Sequence, residues 1–188
     1  MRSVDQIQDE LLVLEAQRGE IDAFETLLRR WLPIMTRHAY RLTGDRDGAA
    51  DVTQETCLAI TRGLRRLDDP ARFAPWALRI VSNKAADWVR RRQRQRRMQE
   101  SLESREPRAV LSDFTGGNDK SEAETVGLIQ RALTKLSHEM RAVISLHYGE
   151  GLSVAETALA LDIPPGTVKS RLHSARSRLK ELVGRRVR

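Results

Sequence analysis

Apolar positions recur along this chain at helical spacing and almost never alternate as strands would require. Residues 6–17 offer Ile7, Leu11 and Leu14. Ile21, Phe24, Leu28, Trp31, Met35, His38 and Leu42 then step by three and four. That predicts one stripe on a long helix, with Pro33 as the site of any kink and Gly44 as its stop. Asp47 is placed to cap a following helix whose stripe is Val52, Thr56, Ala59, Ile60 and Leu64. After the break Asp68-Asp69-Pro70, another helix is predicted from about Pro75 to about Arg92. Ala77, Ile80, Val81, Ala85 and Trp88 would face inward.

Periodicity is lost over 98–125, which holds Pro107, Gly116-Gly117 and many Ser, Asp, Glu and Asn residues. That composition predicts a flexible linker. Helical spacing resumes with Val126, Ile129, Leu133 and Leu136, then Met140, Val143, Ile144 and His147. Gly149 and Gly151 break it. Ser153-Val-Ala-Glu156 is a capping box opening a short helix. Asp162-Ile-Pro-Pro-Gly166 ends that helix, and Thr167 is placed to cap the last one. There Val168, Leu172, Ala175, Leu179 and Leu182 form the inner stripe. The expected fold is all-α. Residues 1–20 form a helical extension, 21–97 one small helical domain, 98–125 the linker and 126–188 a second helical domain.

Charge adds to this picture. The 188 residues carry a net charge of +7. Residues 1–97 hold 19 basic and 14 acidic side chains, 98–125 hold 3 and 7, and 126–188 hold 11 and 5. Two basic blocks therefore flank an acidic one, which suits a polyanionic partner. No run approaches the roughly 18 apolar residues of a membrane span. Acidic residues at Asp5, Asp9, Glu10 and Glu15 argue against a secretory leader. A lone Cys57 points to a reducing, cytoplasmic setting. One Cys and four scattered His residues give no metal-ligand spacing, no phosphate-cradling loop occurs, and no nucleophile motif is recognisable. Neither a cofactor nor catalysis is expected.

Three clusters carry candidate chemistry. Residues 153–182 read as a helix-turn-helix. The apolar stripe of its second helix leaves Lys169, Ser170, Arg171, His173, Ser174 and Arg176 outside, a face of donors and positive charge suited to the major groove. Next, Arg79, Asn83, Asp87 and Arg90 recur on one helix face that runs into an arginine-rich tail, Arg90–Arg97. That tail either neutralises phosphates or is simply solvated. Trp76 and Trp88 either stack on unpaired bases or pack in a core. Third, Asp51, Gln54 and Glu55 share the polar side of the Val52 helix. They serve either as first-turn acids favoured by the helix dipole or as a dock for a basic partner.

These residues together resemble a known family. Asp51-Val-Thr-Gln-Glu-Thr-Cys-Leu58 is similar to the D-x-x-Q-E-x-F-L motif of sigma-factor region 2. Phe73-Ala-Pro-Trp-Ala-Leu-Arg-Ile-Val-Ser-Asn83 resembles the F-x-x-W-L-x-R-I-x-x-N that follows it. Gly166-Thr-Val-Lys-Ser-Arg-Leu-His-Ser-Ala-Arg176 is similar to the family's region 4 motif. Order and spacing match the extracytoplasmic-function (ECF) group of the sigma-70 family over about 20–97 and 126–183.

The resemblance implies a promoter-specific initiation subunit that binds core RNA polymerase through the β′ clamp helices and the β flap. It implies that Asp51, Gln54 and Glu55 face polymerase. Arg72, Phe73, Trp76, Arg79, Asn83, Arg90 and Arg91 would meet the minus-ten promoter element. Thr167, Lys169, Ser170, Arg171, His173, Ser174 and Arg176 would meet the minus-thirty-five element. It also implies an anti-sigma partner, since two basic domains would otherwise bind DNA indiscriminately or have to sequester each other. Three positions depart from the pattern: Cys57 for Phe, Asp162 for Gly in the turn, and Ser174 for Arg. The rival readings are a stand-alone helix-turn-helix regulator, which leaves the 51–83 motifs idle, and a nucleic-acid enzyme, which no acid cluster supports.

Overall fold

The computed structural model describes residues 4–100 and 132–184. Helix α1 is Val4–Gln17, α2 Ile21–Thr43, α3 Arg46–Gly63 and α4 Phe73–Glu100. Two 3-10 turns, Leu64–Arg66 and Pro70–Arg72, join α3 to α4. In the second part α5, His138–Ile144, runs on into a π-helical turn, Ser145–Gly149. Helix α6 is Val154–Leu161 and α7 is Pro165–Gly184. Among the described residues there is no strand, so the all-α expectation holds. Helix α4 starts at Phe73 rather than Pro75 and runs past the expected end near Arg92 to Glu100, because the arginine- and glutamine-rich stretch holds no helix breaker, so 98–100 are helix and not linker. The rest of the linker and the 126–131 helix start lie outside the described residues.

The ends of the helices follow their capping chemistry, with two corrections. Asp45, not Asp47, caps α3, accepting from the Gly48 amide at 2.8 Å; Asp47 sits in the first turn. Thr167 does not cap α7, because the Pro165 ring already sets the helical φ and the helix starts there. The Ser153/Glu156 capping box is present, with its two bonds at 3.2 and 2.8 Å. Gly44 closes α2 at φ 69°, its amide bonding to the Tyr40 carbonyl. The α2 helix continues through Pro33.

In the first domain α2 supplies Leu27, Met35 and Leu42, α3 supplies Val52 and Ile60, and α4 supplies Phe73, Leu78 and Val81, all buried. Trp31 meets Phe73 edge-on at 5.2 Å. On α4 the deep positions include Leu78, whereas Ile80 and Trp88 are only half-buried. Two glycines let α4 come close to α3. A Cβ at Gly48 would lie 2.4 Å from the Trp88 ring, and one at Gly63 2.9 Å from the Trp76 ring. The second core gathers Leu136, Val143, Ile144, Ala158, Val168, Leu172 and Ala175.

The two helical domains pack together. Ala142, Leu146, Leu152 and Ala160 of the second belong to the core cluster of the first, and α6 lies along α4. Polar groups cross the same junction. The side chain of Glu150, 2% exposed, pairs with Arg37 at 3.0 Å and with Arg41. His38 is fully buried between Ser82 of α4, at 3.0 Å, and Ser145 of the π turn, at 2.7 Å. Arg141 donates to the Leu42 carbonyl at 3.0 Å.

Candidate nucleic-acid interface

Helix α7 presents its sides as the apolar stripe predicts. Val168, Leu172 and Ala175 are buried, Leu179 is half-buried, and Lys169, Ser170, His173, Ser174 and Arg176 are exposed. Ser170 Oγ donates to the Thr167 carbonyl at 3.0 Å, so it faces the helix start and keeps its lone pairs outward. Arg171 is less free: Glu139 of α5 holds its guanidinium at 3.1 Å. Thr167 is half-buried in the first turn. A central row of short donors and acceptors flanked by cations is what base edges and phosphates ask of a helix entering a major groove.

The residues on and before α4 separate into three groups. Asn83 is exposed, with Arg79, Asp87 and Arg90 on the same side of the helix. Arg90 is held by Asp87, and that contact keeps the Asp87 carboxyl below its ordinary pKa, ahead of the smaller opposing effect of burial. Arg72 is exposed and pairs with Asp69 at 3.2 Å in the turn before α4. Phe73 is 1% exposed and packs on Trp31, so its ring belongs to the core and offers nothing to DNA. The motif spacing could not show this, because an aromatic at a helix start suits a core and a base stack alike. Trp76 is half-buried, tilted against Phe73 at 6.0 Å and leaning on Gly63. Arg91 turns away from that side toward α3.

On α3, Asp51, Gln54 and Glu55 line one face. Glu55 bonds Lys84 at 3.0 Å and Arg91 at 3.5 Å. The Lys84 hydrogen bond is the main reason its carboxyl sits below the usual carboxylate range. A cleft of about 390 Å³ runs here between Asp51, Gln54, Glu55, Trp88, Arg91 and Arg92. Sequence reasoning missed Leu58. It stands 52% exposed one turn beyond Gln54 and Glu55, an apolar anchor on a polar face. The 51, 54, 55, 58 spacing could have revealed it, since those positions share one side of a helix.

No helix among the described residues is long and apolar enough to cross a membrane. The described residues hold no group of three or more His, Cys, Asp or Glu side chains placed to bind a metal.

Comparison with known proteins agrees with this geometry. Residues 27–95 match the family Sigma-70 region 2, and residues 127–179 match Sigma-70, region 4. ECF RNA polymerase sigma factor SigM of Mycobacterium tuberculosis is 34% identical over 167 residues, covering 88% of this chain and 80% of SigM. SigE of Mycolicibacterium smegmatis is 33% identical over 168 residues; the match covers 89% of this chain but 64% of SigE. Among solved structures, sigma factor RpoE of Bartonella quintana, in complex with the anti-sigma factor NepR, superimposes with a TM-score of 0.69 at 26% identity. That match covers 86% of this chain and 96% of RpoE. With both regions in order, and SigM covered over four-fifths of its length, the chain belongs to the ECF RNA polymerase sigma factors of the sigma-70 family.

Proposed function

We propose that this chain directs core RNA polymerase to promoters through three surfaces on its two domains, taken as 21–97 and 126–188. The face of Asp51, Gln54 and Glu55, with the exposed Leu58 beside it, docks on the β′ clamp helices. The side of α4 that carries Arg79, Asn83 and Arg90, with Arg72 and Trp76 at its start, meets the minus-ten element. Helix α7 reads the minus-thirty-five element, and its domain also engages the β flap. The role is non-enzymatic and cytoplasmic. An anti-sigma protein is the expected inhibitor, in line with the RpoE–NepR complex.

The observation that carries this reading is the arrangement on α3. Asp51 and Gln54 stand exposed beside Glu55, with the exposed Leu58 one turn further on, and this mixed polar and apolar face suits a protein partner better than a phosphate backbone. A stand-alone DNA-binding regulator has no use for that face. Charge reversal at Asp51 and Glu55 should weaken binding to core polymerase at least about tenfold, because like charges then oppose across the contact. Binding of the minus-thirty-five duplex should stay intact. Unchanged core affinity in a folded double variant would defeat the assignment.

A further inference from the structure

Arg79 projects from the side of α4 assigned to promoter DNA, yet its guanidinium is already occupied. Asp162 of the helix-turn-helix turn holds it at 2.7 Å. Asp162 is also the one non-glycine residue with positive φ among the described residues, at φ 55° and ψ 46°. A left-handed aspartate is tolerated but not favoured, and glycine would sit there without penalty. An acid kept at a position that favours glycine, and aimed across a domain junction at an arginine, points to a use for its charge.

The remaining contacts at the junction show what that use is. Two net-basic domains should repel, yet acids of the second domain meet arginines of the first. The Glu150 side chain, 2% exposed, takes Arg37 and Arg41, and Asp162 takes Arg79. Glu150 is the buried clamp. Arg41 reaches it across Gly149, where a Cβ would stand 2.4 Å from the guanidinium. Asp162 is exposed and easily exchanged, its side chain 74% accessible and that of Arg79 42%. The reading helix keeps its outer face free in this closed arrangement, whereas the flank of α4 next to α6 is covered.

We propose that Asp162 is the release point of a self-closing latch: its carboxylate occupies on Arg79 the place of a DNA phosphate, so domain docking and promoter binding compete for one guanidinium. The inference rests on the reading of α4 as a DNA face for its consequence, but not for its existence. The Glu150 pairs, together with the apolar packing of Leu146 and Leu152, hold the chain closed, and binding at α4 has to displace Asp162.

The test uses the full chain without polymerase. Small-angle scattering reads the domain arrangement, and anisotropy reads binding of a fluorescent ten-nucleotide A/T-rich single strand. Glu150→Gln should raise the radius of gyration above the roughly 16 Å of a compact chain of this length. Asp162→Gly and Asp162→Asn both suit the left-handed turn, so the fold is kept. Both should bind the strand tighter by up to about fivefold, the range of an exposed ion pair. In an Arg79→Ala background that gain should vanish. Asp162 variants that bind like the parent while Arg79→Ala weakens binding would overturn the latch. So would a Glu150→Gln chain as compact as the parent. If no variant, Arg79→Ala included, changes strand binding while Glu150→Gln expands the chain, Asp162's competition with DNA is refuted and the reading of α4 fails with it, leaving only the Glu150 docking.

Discussion

His38 shows how much a single side chain can contribute to the junction. Ser82 Oγ donates its proton to the Leu78 carbonyl at 2.8 Å, so it accepts from His38 Nε2–H. Nδ1 is then left to accept from the Ser145 hydroxyl. The ring is therefore neutral. Burial, and then the nearby charges of Arg41 and His138, lower its pKa to about 3. Once the chain unfolds, the imidazole regains an ordinary value near 6.5. The unfolded chain thus binds the extra proton between those values, and stability falls as the pH drops below about 6.5, by about 1.4 kcal/mol per unit. Denaturant unfolding at pH 7 and pH 5 should differ by about 2 kcal/mol from this group alone, and His38→Asn should remove that part. His138, whose pKa burial also lowers, leaves a residual fall of the same sign. Ser174 is the other residue with a specific expectation. It is exposed in the middle of the face of α7 proposed to read DNA, and a hydroxyl pairs with several bases whereas Arg favours guanine. Ser174→Arg should sharpen preference for guanine at one position by about 1–3 kcal/mol, measured by selection from a randomised duplex library. The sequence showed that His38 points inward, but not that its partner lies 107 residues away.

At the scale of elements, α1 and α7 mark what periodicity can and cannot decide. On α7 one stripe is apolar and the rest is charged, so only one orientation buries the stripe, and the structure adopts it. On α1 two faces compete. Ile7, Leu11 and Leu14 look like the inner stripe, yet they stand 56%, 55% and 41% exposed. Val13 and Ala16 are buried instead. Asp9 turns inward beside them, paired with Arg30 of α2, because the small side chains let α1 approach α2 and the 3-10 turns. Gln17 fixes that seat, donating to the Leu64 and Leu67 carbonyls at 2.9 and 2.8 Å. Residue hydrophobicity favoured the wrong face because it does not weigh how closely two backbones can pack. Val13→Ala should therefore cost about 1–3 kcal/mol of stability, while Leu11→Gln should stay within about 0.5 kcal/mol. Thermal or denaturant unfolding of the two variants separates the faces.

For the whole molecule, the two-domain plan and the outward sides of α4 and α7 were legible, since each rests on local spacing. The docking of one domain on the other was not. It depends on pairs such as Arg37–Glu150, 113 residues apart, and no pattern within a helix announces them. Nor did charge counting help, because it treats two basic blocks as bodies that only repel. The Arg79–Asp162 pair has a consequence for how the chain responds to ionic strength. When a free arginine meets a phosphate, about one condensed cation leaves the DNA, and that departure steepens the fall of affinity with salt. When the arginine comes out of a carboxylate's grip, the abandoned carboxylate recruits a cation of its own, and part of the release is cancelled. The intact chain should accordingly bind single-stranded promoter DNA with a log–log salt slope shallower by up to about 0.7 unit than the Asp162→Gly chain. Titrations at four potassium concentrations would show it. On this account the parent's disadvantage shrinks as salt rises, and its DNA affinity holds steadier than the variant's when the ionic strength around it swings.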